Sequence, residues 1–128
     1  MTREVIATQD APGAIGPYSQ AIKAGGLVFV SGQTGIVPQT KQFVGETVAE
    51  QTAQALKNLQ AILEAAGTDM AHVVKTSVFL ADMATFAEMN TVYATFFPEN
   101  PPARSTIAVR SLPLDALVEI DLIALLPE

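Results

Sequence analysis

The sequence predicts an α+β domain in which one mixed β-sheet carries two helices against one of its faces. Three observations lead there. Short runs rich in valine, isoleucine and phenylalanine alternate with two longer stretches of helical periodicity, in the order strand, hairpin, helix, strand, helix, strand, strand. The first helical stretch carries cap residues at both ends. Three strand runs, Leu27-Val28-Phe29-Val30, Val73 to Leu80 and Val118 to Leu126, read as apolar on both alternating faces. Two helices cover one face only, so the other is expected to be buried against further copies of the chain. At 128 residues the chain is read as a single domain, residues 1–128.

Arg3 to Thr8 alternates weakly and reads as a first strand. Ala11-Pro12-Gly13-Ala14-Ile15-Gly16-Pro17-Tyr18 is a loop, because its prolines and glycines exclude a helix. Tyr18, held by Pro17, offers a ring and one hydroxyl; taken alone it is a packing residue. Ser19 to Ala24 and Leu27 to Ser31 form a hairpin about Gly25-Gly26, which supply the positive backbone angles of a tight turn. Ser31-Gly32-Gln33-Thr34-Gly35 ends that strand in a glycine-rich bend where another group can approach the backbone. No lysine-serine or lysine-threonine pair follows, so it is not a phosphate loop. Val37 to Val44 reads as a further loop.

A helix is predicted from Thr47 to Ala66. Thr47 and Glu50 have capping-box spacing, Val48, Thr52, Ala55, Leu59, Ile62 or Leu63 and Ala66 share one face, and Gly67 stands where a left-handed cap belongs. Val73 to Leu80 is a buried strand. Asp82 caps a second helix, Met83 to Phe97, with Phe86, Met89, Tyr93 and Phe97 as its apolar stripe, Asn90 at the stripe's edge and Pro98 as its stop. Asn90 by itself is a helix-edge residue bonded to backbone or water. Pro101-Pro102 stiffen the backbone before Arg104, at the junction into a strand over Ser105 to Val109. A guanidinium so presented is either a surface ion pair or helix C-terminus contact, or a fork for a carboxylate or phosphate. In the last strand Val118, Ile120, Leu122 and Ala124 share one face, with Glu119, Asp121, Ile123 and Leu125 on the other. Glu119 is thus either at an exposed edge or desolvated for a purpose.

The composition excludes several chemistries. With no cysteine there is no disulfide, thiolate nucleophile or cysteine metal site. The single histidine, His72, precedes a strand with no acidic cluster at ligand spacing, so no metal site is expected. A net charge of -6 disfavours nucleic acid as a partner. Neither a signal pattern nor an apolar run of membrane-spanning length is read, and a cytoplasmic location with no membrane association is expected.

The chain resembles the RidA (YjgF/YER057c/UK114) family of reactive intermediate deaminases over essentially its whole length. The resemblance rests on Ile15-Gly16-Pro17-Tyr18-Ser19-Gln20-Ala21, Val30-Ser31-Gly32-Gln33, Ala65-Ala66-Gly67, Val74 to Leu80, Met89-Asn90 with Tyr93 and Phe96-Phe97, Pro102-Ala103-Arg104-Ser105 and Val118-Glu119-Ile120. It implies a chorismate-mutase-like protomer, a homotrimer whose sheets form its core, and sites in clefts between subunits. It also implies cofactor-free hydrolysis of 2-iminobutanoate or 2-iminopropanoate to a 2-oxo acid and ammonia. On this resemblance Arg104 holds the substrate carboxylate and Glu119 the attacking water, both as catalytic residues. Tyr18 and Asn90 close or line the pocket, Ser31 and Gly32 shape its floor, and the backbone at Thr106 adds a polar contact. Thr106 stands where many members have cysteine. Two further readings are a binding or sensing protein for small 2-oxo acids, needing Arg104 but not Glu119, and an endoribonuclease or translation inhibitor.

Overall fold

A computed structural model describes residues 2–128. Its main sheet has six strands in the order β1-β2-β3-β8-β6-β7, where β1 is Glu4–Ile6, β2 Ala21–Ala24, β3 Leu27–Gln33, β6 Val73–Leu80, β7 Ala103–Ala108 and β8 Val118–Leu125. A small hairpin, β4 (Ile36–Val37) with β5 (Gln42–Phe43), stands apart from it. The sheet is mixed, with β6 and β7 parallel and every other pair antiparallel. Because β3 and β6 both run antiparallel to β8, they are parallel to each other. Helix α1 (Val48–Ala66) makes the crossover that parallel strands require, and α2 (Phe86–Phe96) makes the one from β6 to β7.

Local chemistry accounts for the boundaries. Gly25 and Gly26 have φ of 58° and 79°, turning β2 into β3. The side chain of Thr47 accepts from the Glu50 N–H, the Glu50 carboxylate reaches back to the Thr47 N–H, and Gly67, at φ 90°, closes α1. The buried side of α1, including Leu56, Leu59, Ile62 and Leu63, packs with Val28, Val30, Val78, Leu80, Ile120, Leu122 and Met89 in one continuous core. Each such side chain contributes about 1.5–3 kcal/mol. Polar side chains fasten the loops to this core. Gln20 accepts from the Thr8 N–H at 2.7 Å and donates to the Pro12 carbonyl at 2.8 Å. Asn58 donates to the carbonyls of Thr34 and Ile36, and Gln51 donates to Gly45 while accepting from the Leu117 N–H.

Several expectations are corrected. Strand β3 continues to Gln33 instead of ending in a bend at Ser31, because a bulge between Val30 and Gln33 absorbs the glycine while pairing with β8 resumes. The stretch from 37 to 44 is not all loop, since β4 and β5 pair across it. The first turn of the second helix, Met83–Thr85, is a 3₁₀ turn, with Asp82 accepting from the Ala84 N–H. Strand β7 begins at Ala103, so Arg104 lies inside a strand and not at its junction. The face of the sheet away from the helices is mixed, not wholly apolar. Phe29, Ile107 and Leu125 are exposed on it at 42%, 50% and 47%, and Lys75, Ser77, Ser105, Glu119 and Asp121 stand among them.

Candidate active site

The expected site residues fall into two groups on two sides of the sheet. Arg104 is the register partner of Thr76 across the parallel β6–β7 pair. Thr76 is fully buried on the helix side, and neighbours in register share a face. Arg104 accordingly lies against α2, its guanidinium carbon 4.7 Å from the ring centre of Tyr93 and 5.6 Å from that of Phe86. Thr106, two residues on, faces the same way, and its hydroxyl is buried with no hydrogen-bond partner among the described residues. Asn90 is half-buried on α2, one helical turn from both Phe86 and Tyr93.

Glu119 is the register partner of Phe79, three residues along β6 from Thr76. Three positions along a strand reverse the side, so Glu119 projects from the open face. Its nearest backbone is Gly32 in the β3 bulge: a methyl group added there would lie 2.5 Å from the Glu119 Oε2. Only a glycine admits the carboxylate so close. Burial, and then the charge of Asp121 two residues on, raise the Glu119 pKa above its ordinary value. Burial raises Asp121 too, opposed by a hydrogen bond from Ser77 and the charge of Lys75.

Further along β3 and β8, a cleft of about 480 Å³ is lined by Tyr18, Ser31, Phe29, Asp121, Ile123 and Arg3 among others, with Glu119 itself outside its lining. The Ser31 hydroxyl donates to the Ser19 carbonyl at 2.6 Å, and the Ser31 N–H donates to the Gln20 carbonyl, so the loop carrying Tyr18 is tied to β3. The structure thus gathers Tyr18, Ser31, Gly32 and Glu119 at the open face, and Asn90, Arg104 and Thr106 at the β7–α2 edge. Within one chain it does not bring Arg104 to Glu119. His72 belongs to neither group; it is paired with Asp69 at 2.7 Å on the surface. No group of three potential metal-ligating side chains gathers among the described residues, and no helix there is long and apolar enough to cross a membrane.

Nothing in the residues alone marks Tyr93, Phe86 or Thr76 for a site role. The spacing of Phe86 and Tyr93 marks one helix face, but a core stripe has the same spacing, and which strand the face meets depends on β6–β7 pairing.

Fold and site together define a class of α+β proteins in which the expected site residues are divided between two surfaces of one mixed sheet. The chain matches the model of the family described as Endoribonuclease L-PSP over residues 8–126. It is 54% identical over 124 residues to Reactive Intermediate Deaminase A, chloroplastic, of Arabidopsis thaliana, covering 97% of this chain and 66% of that relative. It is 49% identical over 122 residues to the 2-iminobutanoate/2-iminopropanoate deaminase of Mus musculus, covering 95% and 90%. The crystal structure of E. coli TdcF with bound serine superposes with a TM-score of 0.93 at 41% identity, covering 97% of this chain and 99% of that one. The chain belongs to this L-PSP family, the RidA family of the reactive intermediate deaminases.

Proposed function

We propose that the protein hydrolyses small 2-imino acids such as 2-iminobutanoate and 2-iminopropanoate to the 2-oxo acid and ammonia, at sites completed between copies of the chain in a homotrimer. One observation carries this reading. The forked cation, Arg104, and the desolvated carboxylate, Glu119, lie on opposite sides of the sheet, so only a second copy can join them. The exposed apolar side chains Phe29, Ile107 and Leu125 of the open face give such copies a surface to bury. The relatives named as imine deaminases support the substrate class, and the serine named in the TdcF structure supports a ligand of amino-acid size.

In the assembled site Arg104 of one copy grips the substrate carboxylate with two parallel N–H donors, and the Thr106 backbone N–H adds a contact. Glu119 of the neighbouring copy takes a proton from water as the oxygen attacks C2 of the iminium, whose π electrons pass to nitrogen. The carbinolamine then receives that proton on nitrogen. The C–N bond breaks as the hydroxyl becomes a carbonyl, its proton leaving to Glu119 or solvent, and ammonia departs. The raised Glu119 pKa makes the ionised carboxylate a stronger base. One positioned base supplies about 10²–10⁴-fold, a useful gain for imines that already hydrolyse in water.

The test couples an amino-acid oxidase or threonine dehydratase to the protein and follows imine loss. Acceleration over buffer that disappears in Arg104→Ala is expected. An unaccelerated reaction overturns the reading and leaves 2-oxo acid binding in its place. The family's description as an endoribonuclease raises a second reading, against which the net charge of -6 weighs. RNA cleavage that persists in Arg104→Ala and falls with salt would favour it.

A further inference from the structure

We infer that Tyr93, with Phe86 as a second face, is a positioning residue that holds the Arg104 guanidinium ready for a carboxylate, an inference that rests on the proposed role of Arg104. Tyr93 is itself fixed at three points. It is only 6% exposed, its hydroxyl shares a 2.7 Å hydrogen bond with Thr76, and its ring packs on Phe97 with centroids 4.7 Å apart. Thr76 and Arg104 are side by side in the β6–β7 register. Tyr93 spans the two, bonding one through its oxygen and supporting the other with its ring face.

The arrangement leaves the cation available. The only ion pair among the described residues is His72 with Asp69, so Arg104 is matched with no carboxylate of its own chain. The ring faces of Tyr93 and Phe86, with centres 4.7 and 5.6 Å from the guanidinium carbon, attract the positive charge. The donor fork lies in the plane of the guanidinium, and no carboxylate among the described residues is matched with it. A competing acid would neutralise the fork; the two rings restrict its rotamers without doing so, which lowers the ordering cost when an anion binds. Burial, the largest influence on Tyr93, raises its pKa, with Thr76 and Arg104 acting the other way, so the ring carries its neutral hydroxyl at neutral pH.

The experiment compares the parent with Arg104→Ala, Tyr93→Leu, Tyr93→Phe and Phe86→Leu in coupled imine hydrolysis, with nitrogen-15 NMR of the arginine Nε–H groups. Arg104 is assigned by the signal missing from Arg104→Ala. In the parent that signal is expected to be displaced by ring currents. Tyr93→Leu returns it to the free-arginine position and raises KM about tenfold with kcat within about threefold of the parent. Tyr93→Phe keeps the ring and raises KM about twofold, and Phe86→Leu, at a partly exposed position, raises it about threefold. A merely structural role lowers the folded fraction, so kcat falls at constant KM. That pattern in Phe86→Leu and in whichever Tyr93 variant folds, or an undisplaced Arg104 signal in the parent, overturns the inference. An unchanged KM in Arg104→Ala instead overturns the reading of the site itself.

Discussion

Gly32→Ala separates catalysis from stability. The added methyl would lie 2.5 Å from Glu119 Oε2, 2.9 Å from Cδ and 3.1 Å from Cγ, whereas ordinary contact begins at 3.4 Å. The carboxylate must therefore retreat by roughly 0.9 Å, and as the free end of a flexible side chain it yields before the backbone does. Positive φ occurs at Gly25, Gly26 and Gly67 but not at Gly32, so alanine meets no backbone strain. Folding stability is expected to change by less than about 1 kcal/mol. A displacement of that size in a group aiming water at C2 is expected to lower kcat about 10²-fold, with KM nearly unchanged because Arg104 is elsewhere. Oxidase-coupled imine loss and urea unfolding at fixed protein concentration measure the two effects. Parent-like kcat in Gly32→Ala, or a stability loss large enough to account for the missing activity, would refute this reasoning.

Other perturbations follow from the same geometry. The folded state holds the Glu119 proton to higher pH than the unfolded chain, where a glutamate titrates near about 4.3; that contribution to stability is complete below the unfolded value and is lost as pH rises through the raised folded one. Glu119→Gln should therefore unfold at higher urea than the parent at pH 7, and the parent's activity in the coupled assay should fall as pH drops through the raised Glu119 pKa. Arg104→Lys keeps the charge but loses the fork, so the KM for imino acids should rise about tenfold in the coupled assay. Thr52 is wholly buried in α1 and its hydroxyl has no partner among the described residues. Thr52→Val should add about 1 kcal/mol of stability in urea unfolding.

What was legible in the sequence was local. The Gly25-Gly26 turn, the Thr47 and Glu50 box and the Gly67 cap depend on residues a few positions apart, and each appears where it was expected. The alternation that places Glu119 opposite Val118 and Ile120 is equally local, and the burial follows it. The bulge at Ser31 and Gly32 was not legible, because it is defined by the partner strand β8, nearly ninety residues away. Nor was the separation of Arg104 from Glu119. It depends on the β6–β7 and β6–β8 registers together, which no periodicity within β7 or β8 encodes. The roles of Tyr18, Ser31, Asn90 and Thr106 rested on family resemblance, since a loop tyrosine or a helix-edge asparagine has no distinguishing pattern of its own.

Subunit mixing tests the shared site most directly. Arg104→Ala and Glu119→Gln proteins, each inactive alone, are unfolded together at equal amounts and refolded, or co-expressed, and imine hydrolysis is measured. If every site takes Arg104 from one copy and Glu119 from its neighbour in a closed ring, about one site in four keeps both groups after random mixing, and about a quarter of parent activity should return. A mixture as inactive as its components, in oligomers shown to contain both variants, would contradict the account.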